Sequence, residues 1–107
     1  MEDAKFIDVV EEIFMQLEDE LDEFDEDIDI DTSGGLLTVT FPANSTIVLS
    51  KQIAQHEIWI AAVSGGFHLS LRQNGWFCET TDETLGALLS RVFTEQLGRS
   101  VTLLSSA

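Results

Sequence analysis

Apolar residues at Phe6, Val9, Val10, Ile13, Phe14, Leu17, Leu21 and Phe24 recur at steps of three and four. That spacing lines one side of a helix, so the pattern predicts an amphipathic helix from about residue 4 to residue 24. Asp8, Glu11, Glu12, Glu18, Asp19, Asp22 and Glu23 fall on the opposite side.

After Phe24 the period changes from 3.6 to two. Asp27, Asp29 and Asp31 alternate with Ile28 and Ile30, the pattern of a short strand with one polar face. Ser33-Gly34-Gly35 supplies a turn, and Leu36–Phe41 follows with Leu37, Val39 and Phe41 on one side. Pro42-Ala43-Asn44-Ser45 turns the chain into a strand over 46–50. Further strands are predicted over 58–63, 67–72 and 76–79, separated by Ser64-Gly65-Gly66 and Gln73-Asn74-Gly75. The Asn-Gly pair is the strongest hairpin signal in the chain. Helical spacing returns at Leu85, Leu88, Leu89, Val92, Phe93 and Leu97. Thr80 and Glu83 have the spacing of a capping box, and Gly98 that of a C-terminal stop. Val101, Leu103 and Leu104 are expected to pack on the body.

Hairpin-length connections between about six strands imply a mainly antiparallel sheet. Two helices with one apolar stripe each must cover one sheet face, leaving the other in water. The expected fold is α+β, a two-layer α-β-α sandwich with both helices on one face. Residues 1–107 are expected to form one domain, since 107 residues suit a single core.

Charge changes this picture from a plain sandwich to one with a marked surface. The chain carries 20 acidic and 5 basic residues, a net charge of −15. Residues 1–31 hold fifteen of those acids against one base, Lys5. Five basic residues are too few to neutralise a phosphate backbone, so nucleic acid is not an expected partner. Cations or proteins with a basic surface are. A lone cysteine, Cys78, excludes an internal disulfide and thiolate zinc or iron–sulfur sites, and fits a reducing compartment. It is expected to be a small core residue. No apolar run is long enough to span a membrane, and the acidic N-terminus does not resemble a signal or transit peptide. A cytoplasmic location is the default expectation.

A charged run on an amphipathic helix is ordinarily its solvated face. Three features set this one apart. No base interrupts it between Lys5 and Lys51, and like-charge pairs four apart (Asp8/Glu12, Glu18/Asp22, Asp19/Glu23) each cost roughly 0.2–0.5 kcal/mol. The acids crowd the helix C-terminus, where the macrodipole is already negative. The next strand then continues the series with three aspartates. Stability alone does not select such an arrangement; an external cation or basic partner does. Carboxylates without imidazole or thiolate suit hard cations such as Mg²⁺, Ca²⁺, Mn²⁺ or hydrated iron. On a convex helix face they cannot enclose an ion, so binding should be weak and poorly selective. Asp25-x-Asp27-x-Asp29 matches the start of an EF-hand loop, but Ile30 stands at the sixth position and Leu36 at the twelfth, which excludes a calcium sensor of that kind. No nucleophile, dinucleotide or P-loop signature is present. His56 and His68 are expected to be surface or packed residues.

On the strand from Glu57 to Ala62, alternation places Ile58, Ile60 and Ala62 on one face and Trp59 on the other. If the isoleucines face the helices, Trp59 lies on the open face, either as a protein-contact anchor or covered by neighbouring side chains.

The whole chain resembles the bacterial frataxin family. The resemblance rests on Glu18-Asp19-Glu20-Leu21-Asp22-Glu23-Phe24-Asp25, Asp27-Ile28-Asp29-Ile30-Asp31, Gly34-Gly35-Leu36-Leu37-Thr38 and Gln52 with His56-Glu57-Ile58-Trp59-Ile60-Ala61. Gly65-Gly66-Phe67-His68 and Trp76-Phe77-Cys78 complete it, in the family's order and spacing. It implies a small, usually monomeric, non-enzymatic protein of iron–sulfur cluster assembly, acting as regulator or iron donor. Glu18, Asp19, Asp22, Glu23, Asp25, Asp27, Asp29 and Asp31, with Glu11 and Glu12, would bind Fe²⁺ and Fe³⁺ weakly, and other divalent cations too. Glu18, Asp19, Asp22 and Glu23 would also dock on a cysteine desulfurase. Asn44, Gln52 and Trp59 match positions used for partner contact, including the assembly scaffold. The chain departs from the family at Gln52-Ile53-Ala54, where Gln-x-Pro is common. Glu20 stands where relatives can carry a base, and Thr46 lacks a positive charge often seen near its strand. Two other readings stand beside this one: an acidic polyanion mimic that blocks a basic site without any metal, and a ferroxidase, for which no oxidation centre is visible.

Overall fold

The computed structural model describes every residue of the chain except Asn74. Helix α1 runs over Asp3–Leu21, followed by β1 (Asp29–Ser33), β2 (Leu36–Thr40), β3 (Thr46–Gln52) and β4 (Glu57–Ala62). Strands β5 (Gly65–Arg72), β6 (Gly75–Cys78) and β7 (Glu83–Thr84) precede α2 (Leu85–Leu97). The strands form one sheet in the order β1 to β7, each pair antiparallel. The expected α+β sandwich is therefore the observed one, with seven strands where about six were expected. The extra strand is the two-residue β7, too short to leave a periodic signal.

Period-two burial runs through the sheet. Leu37, Val39, Ile47, Leu49, Ile58, Ile60, Phe67, Leu69, Trp76 and Cys78 are buried on one face. They form one cluster with Phe6, Val10, Phe14, Leu17 and Leu21 of α1 and Leu85, Leu88, Leu89, Val92 and Phe93 of α2. Both helices thus cover the same sheet face, and Cys78 is the small core residue it was expected to be. Burying such side chains supplies roughly 1.5–3 kcal/mol each against the cost of ordering the chain. Phe6 meets Trp76 edge-on at 6.0 Å and Phe93 meets Phe41 at 5.4 Å.

The helix ends differ from expectation in two places. Helix α1 stops at Leu21 rather than near residue 24, and Phe24 closes the end as a half-buried residue whose N–H donates to Leu21 O at 3.0 Å. At α2, the cap is not the Thr80/Glu83 pair. Thr84 is the N-cap and its hydroxyl accepts from Ala87 N at 3.2 Å. Glu83 is instead held by Arg91 through two bonds of 2.8 Å and belongs to β7. Gly98 ends α2 as expected, with φ 69° and its N–H donating to Thr94 O. The β5–β6 connection brings Arg72 opposite Gly75, while Asn74 of the expected Asn-Gly turn lies outside the described residues.

The segment after α2 packs on the body, with Val101, Leu103 and Leu104 buried. It passes so close to α2 that a Cβ on Gly86 would sit 2.2 Å from Leu104 O. Ser90 and Thr94 of α2 bind its backbone, through Leu103 N at 2.8 Å and Val101 N at 3.0 Å.

Candidate functional site

The acidic residues fall into two rows on adjoining elements. Glu11, Glu12, Asp19, Asp22 and Glu23 are exposed on α1 and its C-terminal turn, and Glu18 is half-buried beside them. Asp25 and Asp27 are exposed in the connection, and Asp29 and Asp31 on β1. Strand β1 is the edge of the sheet, so its aspartates also resist edge-to-edge pairing with another chain. Thr32 Oγ1 donates to Glu18 Oε1 at 2.6 Å, which ties the edge strand to the helix. Of the ten carboxylates expected as metal-binding, eight belong to α1 and its connection, while Asp29 and Asp31 stand opposite Thr40 and Thr38, on the sheet face that the helices do not cover.

Their arrangement is a surface, not a cage. Among the described residues, no three His, Cys, Asp or Glu side chains converge to hold a metal ion. The donor set is all oxygen, which fits a hydrated hard cation shared between neighbouring carboxylates with most of its waters retained.

Three contacts modify the ridge, and sequence spacing gives no hint of any of them. Lys51 of β3 reaches Glu11, Nζ to Oε2 at 3.2 Å, so a base does stand at the ridge. Glu20 turns away from it: its carboxylate accepts from Leu104 N at 2.9 Å and from Gln16 Nε2 at 3.3 Å. The extra acid at position 20 thus serves the C-terminal segment. Glu26 is forked by Arg99 at 2.6 and 2.9 Å. That guanidinium, helped by a hydrogen bond along Glu26's own backbone, holds the Glu26 carboxyl down at about 2.

The expected partner-contact residues do not form one patch. Gln52 and Trp59 share the open face, since Ser50 lies opposite Trp59 and Gln52 opposite Glu57. Gln52 Nε2 donates to Ser50 Oγ at 2.6 Å. Asn44 lies at the other end of β3, in the exposed turn before it, with φ 70° and its N–H on Phe41 O at 2.8 Å. It is nearer the start of β1, because Thr40 pairs with both Thr46 and Asp29.

Trp59 is half-buried rather than protruding. Its ring stacks on His68 at 4.1 Å with planes 7° apart, and its Nε1 donates to Glu57 Oε1 at 2.8 Å. Both neighbours follow from the register, in which Trp59 pairs with His68. Next to the stack, Glu57, His68, Ser70, Phe77 and Glu79 line an open depression of about 410 Å³. His56, the other histidine, stacks on Phe6 at 4.7 Å and places Nε2 2.7 Å from Asp3 Oδ1, pinning the start of α1.

Comparison with known proteins places this geometry. The model of the frataxin-like domain matches residues 1–99. The chain belongs to the frataxin family. Among solved structures, this frataxin-like chain is similar to a frataxin of the CyaY family from Psychromonas ingrahamii, with a TM-score of 0.85 and 25% identity over 94% of this chain and 96% of that one. It is also similar to a trimeric frataxin from the yeast Saccharomyces cerevisiae, complexed with ferrous iron, with a TM-score of 0.65 and 25% identity over 94% and 87% of the two chains. Among the described residues of this frataxin-like chain, no helix is long and apolar enough to cross a membrane.

Proposed function

We propose that this frataxin-like protein is a non-enzymatic iron-binding component of iron–sulfur cluster assembly, acting as one domain. The observation that carries the reading is the all-oxygen series of carboxylates that runs from α1 through its connection to β1, with Glu18 tied to the strand by Thr32, in a chain of the frataxin family. Fe²⁺ and Fe³⁺ bind weakly along Glu18, Asp19, Asp22, Glu23, Asp25, Asp27, Asp29 and Asp31, with Glu11 and Glu12 at the far end. Oxygen donors on an open surface support fast exchange and modest affinity, properties suited to cargo. Glu18, Asp19, Asp22 and Glu23 also dock on a basic surface of a cysteine desulfurase, so salt weakens both interactions. Gln52 and Trp59 contact the scaffold from the open face, and Asn44 contacts a partner from the far end of β3.

The test is an anaerobic Fe²⁺ titration of the ¹⁵N-labelled protein, with Mg²⁺ and Ca²⁺ controls. Amide broadening confined to residues 8–31, and weaker with Mg²⁺, supports an iron-binding ridge. Equal effects from every divalent ion, or none, would remove iron from the proposal. The absence of converging ligands among the described residues favours a second reading in that event, a polyanion mimic that occupies a basic site without metal. Its effect on the desulfurase would then be independent of iron.

A further inference from the structure

The connection between the two carboxylate rows is short of internal support. Its backbone bonds run from Glu23 N to Glu20 O at 3.2 Å, Phe24 N to Leu21 O at 3.0 Å and Ile28 N to Glu26 O at 3.0 Å. The rest of its hold comes from a residue far along the chain. Past the Gly98 stop, Arg99 places Nε 2.6 Å from Glu26 Oε2 and Nη2 2.9 Å from Glu26 Oε1. The same guanidinium lies 5.0 Å from the centre of the Phe24 ring. Phe24 in turn packs against the core. A fork of two parallel bonds fixes both the plane and the distance of the carboxylate, which a lysine ammonium cannot do. Both Glu26 oxygens are engaged and their charge is offset, while Asp25 and Asp27 on either side remain exposed.

We propose that Arg99 is a positioning residue of the acidic ridge, which withdraws Glu26 from the carboxylates open to cations and locks the turn that joins the acidic helix to the acidic strand. The inference rests on the ridge reading above and deepens it. A fixed positive charge at this point interrupts the cation-binding surface between Asp25 and Asp27. A metal ion or a partner's basic side chain approaching residue 26 meets a guanidinium already in place. Approaching residues 18–23 or 27–31, it meets carboxylates alone. Direction matters as much as charge, because the turn over 22–28 carries the chain from the end of α1 to the edge strand and holds Asp25 and Asp27 on its outside.

The test uses the full chain with Arg99→Gln, Arg99→Lys and the double variant Arg99→Gln/Glu26→Gln. Without metal, amide exchange at Phe24 and Ile28 is expected to rise about fivefold in Arg99→Gln and Arg99→Lys, the scale of losing a partly exposed ion pair, with β3–β5 amides unchanged. On anaerobic Fe²⁺ titration, wild-type broadening should be weaker at residue 26 than over 18–23 and 29–31, and Arg99→Gln should raise it at residue 26 about twofold relative to those segments. Arg99→Lys, which keeps the charge, should not. The double variant should lose the increase. A merely structural role would speed exchange without changing this ratio. Wild-type exchange in Arg99→Gln, or an unchanged ratio, overturns the proposal. If Fe²⁺ leaves the whole wild-type ridge unperturbed, the iron reading of the ridge fails separately, and the metal-free exchange alone decides whether Arg99 locks the turn.

Discussion

Thr32 of β1 donates its hydroxyl to Glu18 of α1 over 2.6 Å, a direct side-chain link between the edge strand and the acidic helix across fourteen positions of sequence. Replacing Thr32 with Val keeps the shape and removes the donor. Loss of one exposed bond should cost about 0.5 kcal/mol in urea unfolding. Amide shifts should be confined to the neighbourhood of Glu18 and Thr32. Shifts spread along all of β1 would mean that the bond sets the strand's whole placement.

Asp22 and Glu23 stand where the helix dipole is negative and other acids surround them, so folding gains nothing from their charge. Reversing both to Lys should raise stability by about 0.5–1 kcal/mol, measured by thermal or urea unfolding. The same change should weaken Fe²⁺ and desulfurase binding by tenfold or more. A variant that is both destabilised and fully active in binding would show that the ridge acids serve the fold.

The helices, the strand alternation and the core were legible because period and burial are the same information in this chain. Val39 and Ile60 point inward for the reason that Thr38 and Trp59 do not. Charge crowding on α1 and β1 was legible for the converse reason, that it worsens local stability. Pairings between distant residues left no periodic trace. Nothing in the spacing of Arg99, Lys51 or Glu20 indicates that they meet Glu26, Glu11 and the Leu104 N–H. Asn44 illustrates the same limit, since resemblance grouped it with Gln52 and Trp59 while β3 separates it from them. The capping-box spacing at Thr80 misled because Arg91, about two turns into α2, takes Glu83 in a two-bond fork and leaves Thr84 to cap.

Trp59 lies flat against His68 with its N–H satisfied by Glu57, so it offers the open face a plate rather than a projecting ring. Trp59→Ala would leave that plate a hollow floored by His68. Fe²⁺ perturbation over residues 8–31 should be unaffected, and scaffold binding should fall by about tenfold, the scale of an interface aromatic. Retained scaffold affinity would take Trp59 out of the contact surface.

Gly86 faces the backbone of Leu104 with no room for a methyl group, since an added Cβ would lie 2.2 Å from the carbonyl oxygen. Helix propensity favours Ala over Gly by about 1 kcal/mol. Gly86→Ala should nevertheless destabilise by about 1–3 kcal/mol, because a backbone cannot yield as a side-chain tip does. The loss should appear as early exchange at Val101, Leu103 and Leu104 amides. A stabilised variant would mean that the C-terminal segment is free to move off α2.

Glu83 and Arg91 provide the pH test of the opposite edge of the molecule. The guanidinium of Arg91, through two 2.8 Å bonds, holds the Glu83 carboxyl below its ordinary value of 4.5, against the opposing effect of burial. The folded form therefore binds the Glu83 proton less readily than the unfolded form. Its stabilisation is complete above the unfolded value, near pH 4.5, and is lost as pH falls through the lower folded value. Glu83→Gln should cost about 1 kcal/mol at pH 7, given the partial exposure of the pair, and progressively less as pH falls below 4.5. A pH-independent difference for Glu83→Gln would show that Arg91 packs on Phe67, at 5.4 Å, without drawing stability from the carboxylate.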